Sequence, residues 1–600
     1  MSVRDVISPF TAWKNVFRET VSIKDPINSR PGAPRYRGFH QNDMEKCIGC
    51  GTCEVICQNA AIDMVPVDGQ EARDGDSGLR PRIDYGRCCW CALCVDVCMT
   101  GSLTMSNEYQ WVDSDPDVFR FIPGAEKKSW DDAELGYRRP DDHHIKPAAR
   151  VSMGEMEPQV RIGNFDEIVD GYSIEQAVLE ADRCVECGLC VATCPTHMAI
   201  PDYIRAVREG DYEQGLRLLY DSNPFSQTCG RVCTHKCETA CAAAHDGDPI
   251  AIRWLKRHIT DQVPIEKYTE IIGKPAEPTG RKVAVVGAGP AGLTAAYDLA
   301  RKGHEVHVFE AQAGPGGMIR YGIPEYRLPY DVIDNEVGVI EAQGVKINYN
   351  CRVGTEITMA QLRDDHDAVL LTIGLHLGRS TRIPGSDHPM VMKAVDLLRD
   401  ITEGKALEVP RTAVVIGGGN VAMDIARSIA RLQQQKFGKV GMTVTALEDF
   451  DHFLADPEEV KESFEEGIEI IDARGPREIM LEKDGRVSGL KTWKVLSIFD
   501  EDGRFSPQYD DGDEWIHFGE MVIEAIGQMS DVSVLGEELT EALEWNRGRI
   551  RVDQAGRTSE PWLWSGGDCV NGPDVVHAVA DGHRAAASID AYIMAKQEEA

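Results

Sequence analysis

Cysteines recur in this chain at a spacing that suits metal chemistry. Residues 47–57 read CIGCGTCEVIC and residues 88–98 read CCWCALCVDVC, and both contain the pattern C-x2-C-x2-C-x3-C. Two-residue gaps let one short loop give three thiolates to a cubane iron–sulfur cluster, and the fourth cysteine then serves the neighbouring cluster. We predict two 4Fe–4S clusters, one held by Cys47, Cys50, Cys53 and Cys98 and the other by Cys88, Cys91, Cys94 and Cys57.

The fifth cysteine of the second stretch, Cys89, fits neither set and is interpreted as a non-ligand. A pair of zinc knuckles is the alternative, but two complete repeats at identical spacing favour iron–sulfur clusters. The preceding segment, VSIKDPINSRPGAPRYRGFHQNDMEKCIGC, resembles the ferredoxin-like subunit of respiratory complex I over residues 12 to about 107. That resemblance implies two 4Fe–4S clusters in series and contact with other subunits.

Two more cysteine groups follow. Residues 184–195 read CVECGLCVATCP and supply Cys184, Cys187, Cys190 and Cys194. Residues 229–241 read CGRVCTHKCETAC and supply Cys229, Cys233, Cys237 and Cys241. With the NPFSQTCGRVC segment, they resemble the N-terminal iron–sulfur domain of the glutamate synthase small subunit and of dihydropyrimidine dehydrogenase. The resemblance implies a helical domain with two further 4Fe–4S clusters.

The same resemblance implies how these cysteines divide. One cluster takes Cys194, Cys233, Cys237 and Cys241, and the other takes Cys184, Cys187 and Cys190 with a Glu or Gln from a downstream helix. In the matching stretch, AIRWLKRHI, Lys256 occupies the place of that Glu or Gln. A lysine ammonium has no acceptor lone pair, so we name Cys229 as the substitute ligand.

Glycine-rich loops mark two nucleotide sites in the second half of the chain. In residues 281–311, RKVAVVGAGPAGLTAAYDLARKGHEVHVFEA, a buried strand leads into G-x-G-x-x-G and a helix, and a second strand ends in an acid. The glycines admit a pyrophosphate at the helix N-terminus, and the acid binds a ribose hydroxyl. These residues are Gly287, Gly289, Gly292 and Glu310. Residues 411–430 contain G-x-G-x-x-A at Gly417, Gly419 and Ala422, so we predict FAD first and a nicotinamide nucleotide second.

Two further segments resemble known flavoproteins. WLWSGGDCVNGPDVVHAVADGHRAA and AIGQ resemble the second flavin motif of proteins with two dinucleotide domains, which implies that Asp568 binds the ribityl chain and that the FAD domain is discontinuous. GGMIRYGIPEYRLP, which contains Gly317, resembles the glutamate synthase small subunit and the flavin subunit of NADH-dependent ferredoxin:NADP oxidoreductase. The C-x4-C pair of disulfide reductases does not occur there, so we exclude thiol–disulfide exchange.

The residues after the second glycine loop indicate which nucleotide binds. In the glutamate synthase small subunit, the strand after this helix ends in two arginines that bind the 2′-phosphate of NADPH. Here the stretch is GMTVTALEDF, and Glu448 and Asp449 fall at those places. Carboxylates accept hydrogen bonds from free ribose hydroxyls and repel a phosphate, so we predict NAD(H), with Glu448 as the main ribose ligand. The alternative is that both acids face solvent beyond the strand.

Composition narrows the class of protein. The chain has 600 residues, 64 basic and 98 acidic side chains and a formal charge of −34, which disfavours nucleic-acid binding. No secretory signal or apolar run of membrane-spanning length is visible, so we predict a cytoplasmic protein without membrane insertion. Nineteen cysteines in such a chain indicate metal or redox chemistry rather than a disulfide framework.

The elements that must position these residues form a multidomain protein of α+β and α/β class. We predict a two-cluster ferredoxin domain, a helical iron–sulfur domain and two Rossmann-like dinucleotide-binding domains, for FAD and NAD. The predicted boundaries are an arm at 1–40, the ferredoxin domain at 41–110, a linker at 111–164, the helical domain at 165–275, the N-terminal segment of the FAD domain at 280–390, the NAD(P) domain at 391–520 and the C-terminal segment of the FAD domain at 521–600.

The predicted function is electron transfer between NAD(H), FAD, a chain of 4Fe–4S clusters and a partner subunit. Hydride transfer to flavin needs stacking and exclusion of water more than an acid or base, so we name no catalytic side chain. A 2-oxoacid:ferredoxin oxidoreductase, a hydrogenase and a formate dehydrogenase are possible partners, and a ferredoxin is another. A glutamate synthase small subunit and a non-catalytic scaffold with structural metal are the alternatives. The direction of electron flow and the stoichiometry stay open.

Overall fold

The computed structural model describes Trp13, Val16, Arg18 and residues 32–132, 134–572 and 574–599. They form two compact bodies, one of residues up to 148 with 240–248, and the other of residues 149–239 with those from 249 onward. Most of the predicted N-terminal arm lies outside the described residues.

The first body is a ferredoxin fold around two short cysteine-bearing helices, Thr52–Val55 and Leu93–Asp96. Its strands are β1 (His40–Asn42), β2 (Ile62–Pro66), β3 (Leu79–Asp84), β4 (Leu103–Met105) and β5 (Arg120–Phe121), and 3₁₀ turns span Pro116–Phe119 and Ala242–His245. Strand β1 pairs with β4, and β3 pairs with both β2 and β5, all antiparallel.

An aromatic core extends this body beyond its predicted end. Trp130 is buried and stacks on Phe39, with 4.4 Å between the ring centroids. Trp111 and Phe121 pack in the same cluster. Residues 111–148 therefore belong to the ferredoxin body, and their assignment to a linker was wrong. Widely spaced single aromatics give no periodic pattern from which an element could be predicted.

The second body begins with a helical region. Its helices are Pro158–Arg161, Ile174–Asp182, Leu189–Thr193, Ile200–Glu209, Tyr212–Tyr220, Ser226–Val232, Lys236–Thr239, Ile252–Gln262 and Tyr268–Ile272, with a 3₁₀ turn at Ile265–Lys267. Ser173 and Gln176 form a capping box before the second of these helices. Gly210, in the left-handed conformation, ends the fourth. The two caps thus mark where helices of this region begin and end.

A parallel sheet follows, with helices between its strands. The strands are β6 (Lys282–Val286), β7 (Glu305–Phe309), β8 (Lys346–Asn348) and β9 (Ala368–Leu371), and the short β10 spans Leu377–Gly378. The helices are Pro290–Arg301, Met318–Tyr321, Tyr330–Ala342 and Met359–Asp365. All four residues of β9 are buried, which is typical of parallel strands covered on both faces.

A second parallel sheet is inserted next. Its strands are β11 (Val391–Lys393), β12 (Ala413–Ile416), β13 (Met442–Thr445) and β14 (Glu469–Ile471). Its helices are Ala394–Thr402, Asn420–Phe437 and Pro457–Glu465, with a 3₁₀ turn at Phe450–His452. A separate antiparallel sheet of three strands follows: β15 (Arg474–Leu481), β16 (Val487–Phe499) and β17 (Phe505–Phe518).

The chain then returns to the first sheet. After β18 (Met521–Glu524) come β19 (Gln528–Met529), β20 (Trp545–Asn546), β21 (Arg549–Ile550) and β22 (Leu563–Ser565), with helices Gly536–Ala542 and Val575–Glu599 and a 3₁₀ turn at Val532–Leu535. The first sheet has the order β22-β9-β6-β7-β8 and the second the order β11-β18-β12-β13-β14.

The strand order shows that the first dinucleotide fold is discontinuous, because β22 joins the sheet of β6–β9 although the inserted sheet lies between them in the chain. It also shows that the predicted boundary between residues 520 and 521 lies before a strand of the inserted sheet. Strand β18 pairs in parallel with β11 and β12, so it belongs to the inserted sheet. Its assignment to the C-terminal segment of the FAD domain was wrong, because a short apolar strand fits either sheet and only pairing decides.

No helix in the described part of the chain is both long and apolar enough to cross a membrane. The cytoplasmic location stays a prediction.

A buried ion network joins three segments of the second body. Arg427 and Arg431, both fully buried, place guanidinium nitrogens 2.8 and 2.6 Å from the carboxylate of Glu466. Arg161, from the helix Pro158–Arg161, lies 3.0 Å from the same carboxylate. The guanidinium of Arg431 also lies 3.7 Å from the ring centroid of Tyr326. Glu466 thus links the inserted domain to the segment Pro158–Arg161, which precedes it in the chain.

We expect the substitution Glu466→Gln to destabilise the inserted domain by about 3–5 kcal/mol, because it takes the carboxylate partner from the buried guanidinium of Arg431 and one of several partners from Arg427. Burial alone would raise the pKa of Glu466, but Arg427 and Arg431 lower it from 4.5 to about 2. Its contribution to stability is therefore complete above pH 4.5 and is lost as the pH falls through about 2.

The midpoint of thermal unfolding at pH 7, followed by circular dichroism, measures this effect. The control Glu465→Gln removes a partly exposed carboxylate that meets Arg161 and the exposed Lys461, and we expect a loss below about 1 kcal/mol. Equal midpoints for the two variants would contradict the assignment.

Candidate functional site

Three cysteine loops share one backbone conformation. In each C-x2-C-x2-C motif, the residues before and after the second cysteine have positive φ: Gly49 and Gly51, Trp90 and Ala92, Glu186 and Gly188. Backbone N–H groups that converge in such turns form a concave anion site, as in many iron–sulfur proteins. Non-glycine residues held in this region cost about 1–3 kcal/mol each, so the conformation of Trp90, Ala92 and Glu186 fits a loop that wraps a cluster.

Cys98, from the second motif, lies near the cysteines of the first motif. Burial raises the pKa of Cys47 and of Cys50, and the charge of the nearby Cys98 raises both further. Burial and then the charges of Cys50, Cys94, Cys98 and Cys47 raise the pKa of Cys53. These charges indicate that Cys98 lies near Cys47, Cys50 and Cys53, and the ligand set of the first cluster stays a prediction.

Cys57, in turn, lies with the second motif. It lines one cavity of about 570 Å³, including its opening, with Cys88, Cys91 and Cys94. Burial, followed by the charges of Cys89, Cys57 and Cys91, raises the pKa of Cys88 to about 11. Cys89 lines the same cavity but is exposed. Among the described residues, no three His, Cys, Asp or Glu side chains stand close enough together to ligate a single metal ion.

Hydrogen bonds to sulfur surround both sets. The Ala61 N–H donates to Cys57 Sγ at 3.3 Å, and the Leu103 N–H donates to Cys98 Sγ at 3.4 Å. His40 Nε2 lies 3.3 Å from Cys94 Sγ. Such contacts to sulfur tune the reduction potential of a cluster. The sequence analysis missed His40, because no spacing rule connects it to a cysteine 54 residues away.

In the helical region, cysteines surround a buried lysine. Burial lowers the pKa of Lys256, but the charges of Cys233, Cys229, Cys194 and Cys237 raise it overall. The Lys256 ammonium therefore lies near these four cysteines and would compensate the charge of their thiolates. Burial raises the pKa of Cys229, and the charges of Lys256, which lowers it, and of Cys233, which raises it, act in addition. The role of Cys229 in the cluster of Cys184, Cys187 and Cys190 stays a prediction.

A cavity at the carboxyl end of the first sheet has the shape that a dinucleotide requires. A methyl group on Gly287 would lie 2.5 Å from the Thr372 carbonyl oxygen, and one on Gly292 would lie 2.2 Å from the Gly287 carbonyl oxygen. At Gly289 a methyl group would meet nothing within 4 Å, so this edge is open to the cavity. Gly317 lies across from it, with 3.1 Å between its added methyl group and the Gly289 Cα.

Two carboxylates complete this cavity, which measures about 1110 Å³ with its opening. Glu310, at the end of β7, accepts hydrogen bonds from the Ala288 and Gln312 N–H groups, both at 2.8 Å. Asp568 lines the other side, and its Oδ1 is buried without a hydrogen-bond partner. Burial raises the pKa of Asp568. A carboxylate with an unpartnered acceptor in the wall of the cavity fits the hydroxyl groups of a flavin ribityl chain.

A hydrogen bond connects the flavin segment to the cysteine loops. Asp574 precedes the helix Val575–Glu599 and accepts a hydrogen bond at 3.0 Å from Thr234, which follows Cys233. Glu336 makes a second link, because its carboxylate accepts hydrogen bonds from Thr228 Oγ1 and from the Gln227 N–H, both at 2.6 Å. Neither link was predicted, since the partners lie more than 100 residues apart.

The second glycine loop has the same design. A methyl group on Gly417 would lie 2.4 Å from the Ala525 carbonyl oxygen, whereas one on Gly419 would meet nothing within 4 Å. Ala422 is fully buried in the helix that follows. The Glu448 carboxylate lies over this loop, 2.9 Å from a methyl group placed on Gly418.

Asp449 is engaged elsewhere. Its Oδ1 lies 2.6 Å from His452 Nδ1 and accepts the His452 N–H at 3.1 Å. This interaction with His452 lowers the pKa of Asp449. Of the two acids named from the sequence, Glu448 is the one beside the glycine loop.

Comparison with known proteins agrees with this arrangement. A 4Fe-4S dicluster domain model matches residues 46–102, and the model of dihydropyrimidine dehydrogenase domain II, a 4Fe-4S cluster domain, matches residues 161–268. The pyridine nucleotide-disulphide oxidoreductase model matches residues 281–582, just over half of the chain. Fold and sites thus define an iron–sulfur flavoprotein oxidoreductase. The chain belongs to the pyridine nucleotide-disulphide oxidoreductase family, extended by 4Fe–4S domains, and it binds iron–sulfur clusters and flavin or nicotinamide nucleotides.

Several relatives share this plan. The NADP(+)-dependent formate dehydrogenase subunit beta of Moorella thermoacetica is 36% identical over 67% of this chain, which spans 60% of that relative's length. The putative oxidoreductase UacF of Escherichia coli K12 is 30% identical over 91% of this chain and 86% of its own length. The NAD-dependent dihydropyrimidine dehydrogenase subunit PreT of the same organism is 33% identical over 72% of this chain and 97% of its own length.

We predict that Cys98→Ala damages the cluster held by Cys47, Cys50 and Cys53, because it removes that cluster's fourth thiolate. The electron paramagnetic resonance signal lost should be the one lost in Cys50→Ala and should differ from the one lost in Cys91→Ala. Cys89→Ala is the matched control and should lose no signal. If Cys98→Ala instead matches Cys91→Ala, each motif ligates its own cluster and the crossed assignment fails.

Proposed function

We propose that the chain moves electrons between NAD(H) and a partner subunit through one FAD and four 4Fe–4S clusters. The observation that carries this proposal is the hydrogen bond between Asp574 and Thr234. It joins the segment that begins at the flavin-cavity residue Asp568 to the loop between Cys233 and Cys237. A bound FAD would accept an electron pair and release its electrons singly, and clusters carry one electron each.

The residues of the flavin cavity bind and orient rather than transfer protons. Glu310 is held by two backbone N–H groups and is fixed for ribose binding. Helix Ala394–Thr402 of the inserted domain supplies Val395 and Arg399 to the wall of the same cavity. The inserted domain therefore reaches the place where a nicotinamide must meet the flavin. This arrangement supports a reaction without a catalytic acid or base.

The position of Glu448 supports NAD(H) over NADP(H). Its carboxylate lies over the loop that would carry the nucleotide pyrophosphate. A 2′-phosphate near this carboxylate would meet a like charge, whereas free ribose hydroxyls can donate hydrogen bonds to it. The relative from Moorella thermoacetica is named as NADP(+)-dependent, so the two proteins would differ in this respect.

The partner is proposed to be another subunit of an oxidoreductase complex. Of the three partner classes considered from the sequence, a formate dehydrogenase has the support of a relative's name. A glutamate synthase small chain from Halomonas elongata is 31% identical over 97% of its length but 74% of this chain. About a quarter of this chain has no counterpart there, which disfavours that alternative.

Iron analysis and anaerobic titration test the proposal together. We expect about sixteen irons per chain and one FAD, with NADH bleaching the flavin absorption and producing reduced-cluster signals. About eight irons per chain would mean that one of the two cluster domains carries no clusters, which contradicts the proposal. A flavin that NADH leaves oxidised would overturn it.

The nucleotide preference is tested by steady-state dye reduction. We expect kcat/KM for NADH to exceed that for NADPH by roughly a hundredfold, because like charges at contact cost several kcal/mol. Glu448→Arg should narrow this gap by removing the repulsion. Asp449→Arg is the matched control, and its effect should be smaller because Asp449 pairs with His452. An equal or better kcat/KM for NADPH in the unmodified chain would refute the preference.

A further inference from the structure

The two cysteine loops of the ferredoxin body share a backbone conformation, but another chain segment packs over the first loop and leaves the second more exposed to solvent. At the first loop, Ser77 donates from its hydroxyl to the Gly49 carbonyl at 2.7 Å and from its N–H to the Ile48 carbonyl at 3.1 Å. A methyl group on Gly49 would lie 2.1 Å from Ser77 Oγ. The segment before β3 therefore closes over this loop. At the equivalent position, the second loop carries Trp90, which is 37% exposed.

The covering segment also meets a cysteine-bearing stretch from later in the chain. A methyl group on Gly75 would lie 3.7 Å from the Cα of Ala240, and residues 240–248 belong to the same body. Ala240 directly precedes Cys241, a predicted ligand of the helical iron–sulfur domain. Within this body, the segment that covers the first loop therefore lies beside the stretch 240–248.

The second loop is open on its outer side. Cys89 and Cys91 are exposed, and Leu93 is 39% exposed. The cavity lined by Cys57, Cys88, Cys91 and Cys94 reaches this surface at Cys89.

Charge also distinguishes this surface. Residues 58–60 and 86–93, which form the rim, contain no aspartate or glutamate and include one basic residue, Arg87, in a chain with a net charge of −34. Asn59 donates a hydrogen bond to the Arg87 carbonyl at 3.1 Å, so the two segments are held together. An almost uncharged patch with exposed Trp90 and Leu93 would present little charge repulsion to an acidic partner protein.

We propose that this surface, defined by Cys89, Trp90, Cys91 and Leu93, is the docking face through which the chain exchanges electrons with a partner. The partner is a redox protein or subunit whose own one-electron centre lies beneath an uncharged, apolar surface. The inference rests on the proposed electron-transfer function and adds the order of the last two clusters, covered first and exposed second. A small apolar face of this kind suits a transient redox contact.

A variant built from the chain's own first loop tests the face. Trp90→Gly with Leu93→Thr installs the residues that stand at the equivalent positions, Gly49 and Thr52, so cluster assembly should be preserved. The control is Val112→Thr, which removes a fully solvated apolar side chain elsewhere on the same body. Iron content and the resonance signals of the dithionite-reduced protein should be unchanged in both.

Mixing the reduced protein with cytochrome c gives the readout. The measurement is made at about 1 M salt, where the Debye length is about 3 Å and general attraction to the acidic surface is screened. We expect the double variant to reduce cytochrome c roughly tenfold more slowly, whereas Val112→Thr keeps the original rate. Ferricyanide, which needs no docking face, should be reduced at equal rates by all three proteins.

A chemical block keeps the test valid if the double variant loses a cluster. Polyethylene glycol maleimide attached to Cys89 should slow cytochrome c reduction to a similar extent, and Cys89→Ser protein treated in the same way should be unaffected. Unchanged rates in both the labelled protein and the double variant would overturn the proposal. A dimer in sedimentation that the double variant dissociates would also overturn it, because the face would then belong to a second copy.

Dithionite reduction separates this inference from the proposed function. Dithionite reduces the clusters without NADH. A chain that NADH fails to reduce would therefore refute the proposed function, while the rate of cytochrome c reduction would still test the docking face. A chain that NADH reduces fully, but whose transfer to cytochrome c ignores Trp90, Leu93 and Cys89, would refute the docking face alone.

Discussion

Buried thiolates packed close together are the constraint on which the rest of this structure depends. Burial and mutual repulsion raise the pKa of Cys53 and of Cys94, so neither group favours ionisation by itself. A thiolate that binds iron loses this penalty, because the metal supplies the compensating charge. Folding of the cysteine loops and loading of the clusters are therefore coupled. The left-handed residues Trp90, Ala92 and Glu186 show the same coupling in the backbone.

The surrounding protein reduces this penalty in two ways. N–H groups such as those of Ala61 and Leu103 point at sulfur in the ferredoxin body. In the helical region, the ammonium of Lys256 stands among four cysteines. A lysine cannot ligate iron, yet at this place it lowers the electrostatic cost of the thiolates beside it. Lys256 thus supplies a counter-charge rather than a ligand.

Hydrogen bonds and ion pairs between distant segments then set where the modules of the second body lie. Asp574 meets Thr234, Glu336 meets the helix Ser226–Val232, and Glu466 meets Arg161. The first two contacts join a segment near a cofactor motif to an element from another region of the chain, and the third joins the inserted domain to the segment Pro158–Arg161. Electron transfer needs cofactors at fixed short separations, so these few polar contacts connect stability to function.

The sequence by itself determined the chemistry of each site. Cysteine spacing and glycine patterns are local, because they follow from the shape of one loop around one cofactor, and the family models match the same regions. Local patterns could not show that residues 111–148 fold with the ferredoxin body or that β18 joins the inserted sheet. They also gave no sign of His40 at Cys94 or of Asp574 at Thr234. Tertiary structure decided these contacts, and with them the covered and the open cysteine loop, because they depend on packing between residues far apart in the chain.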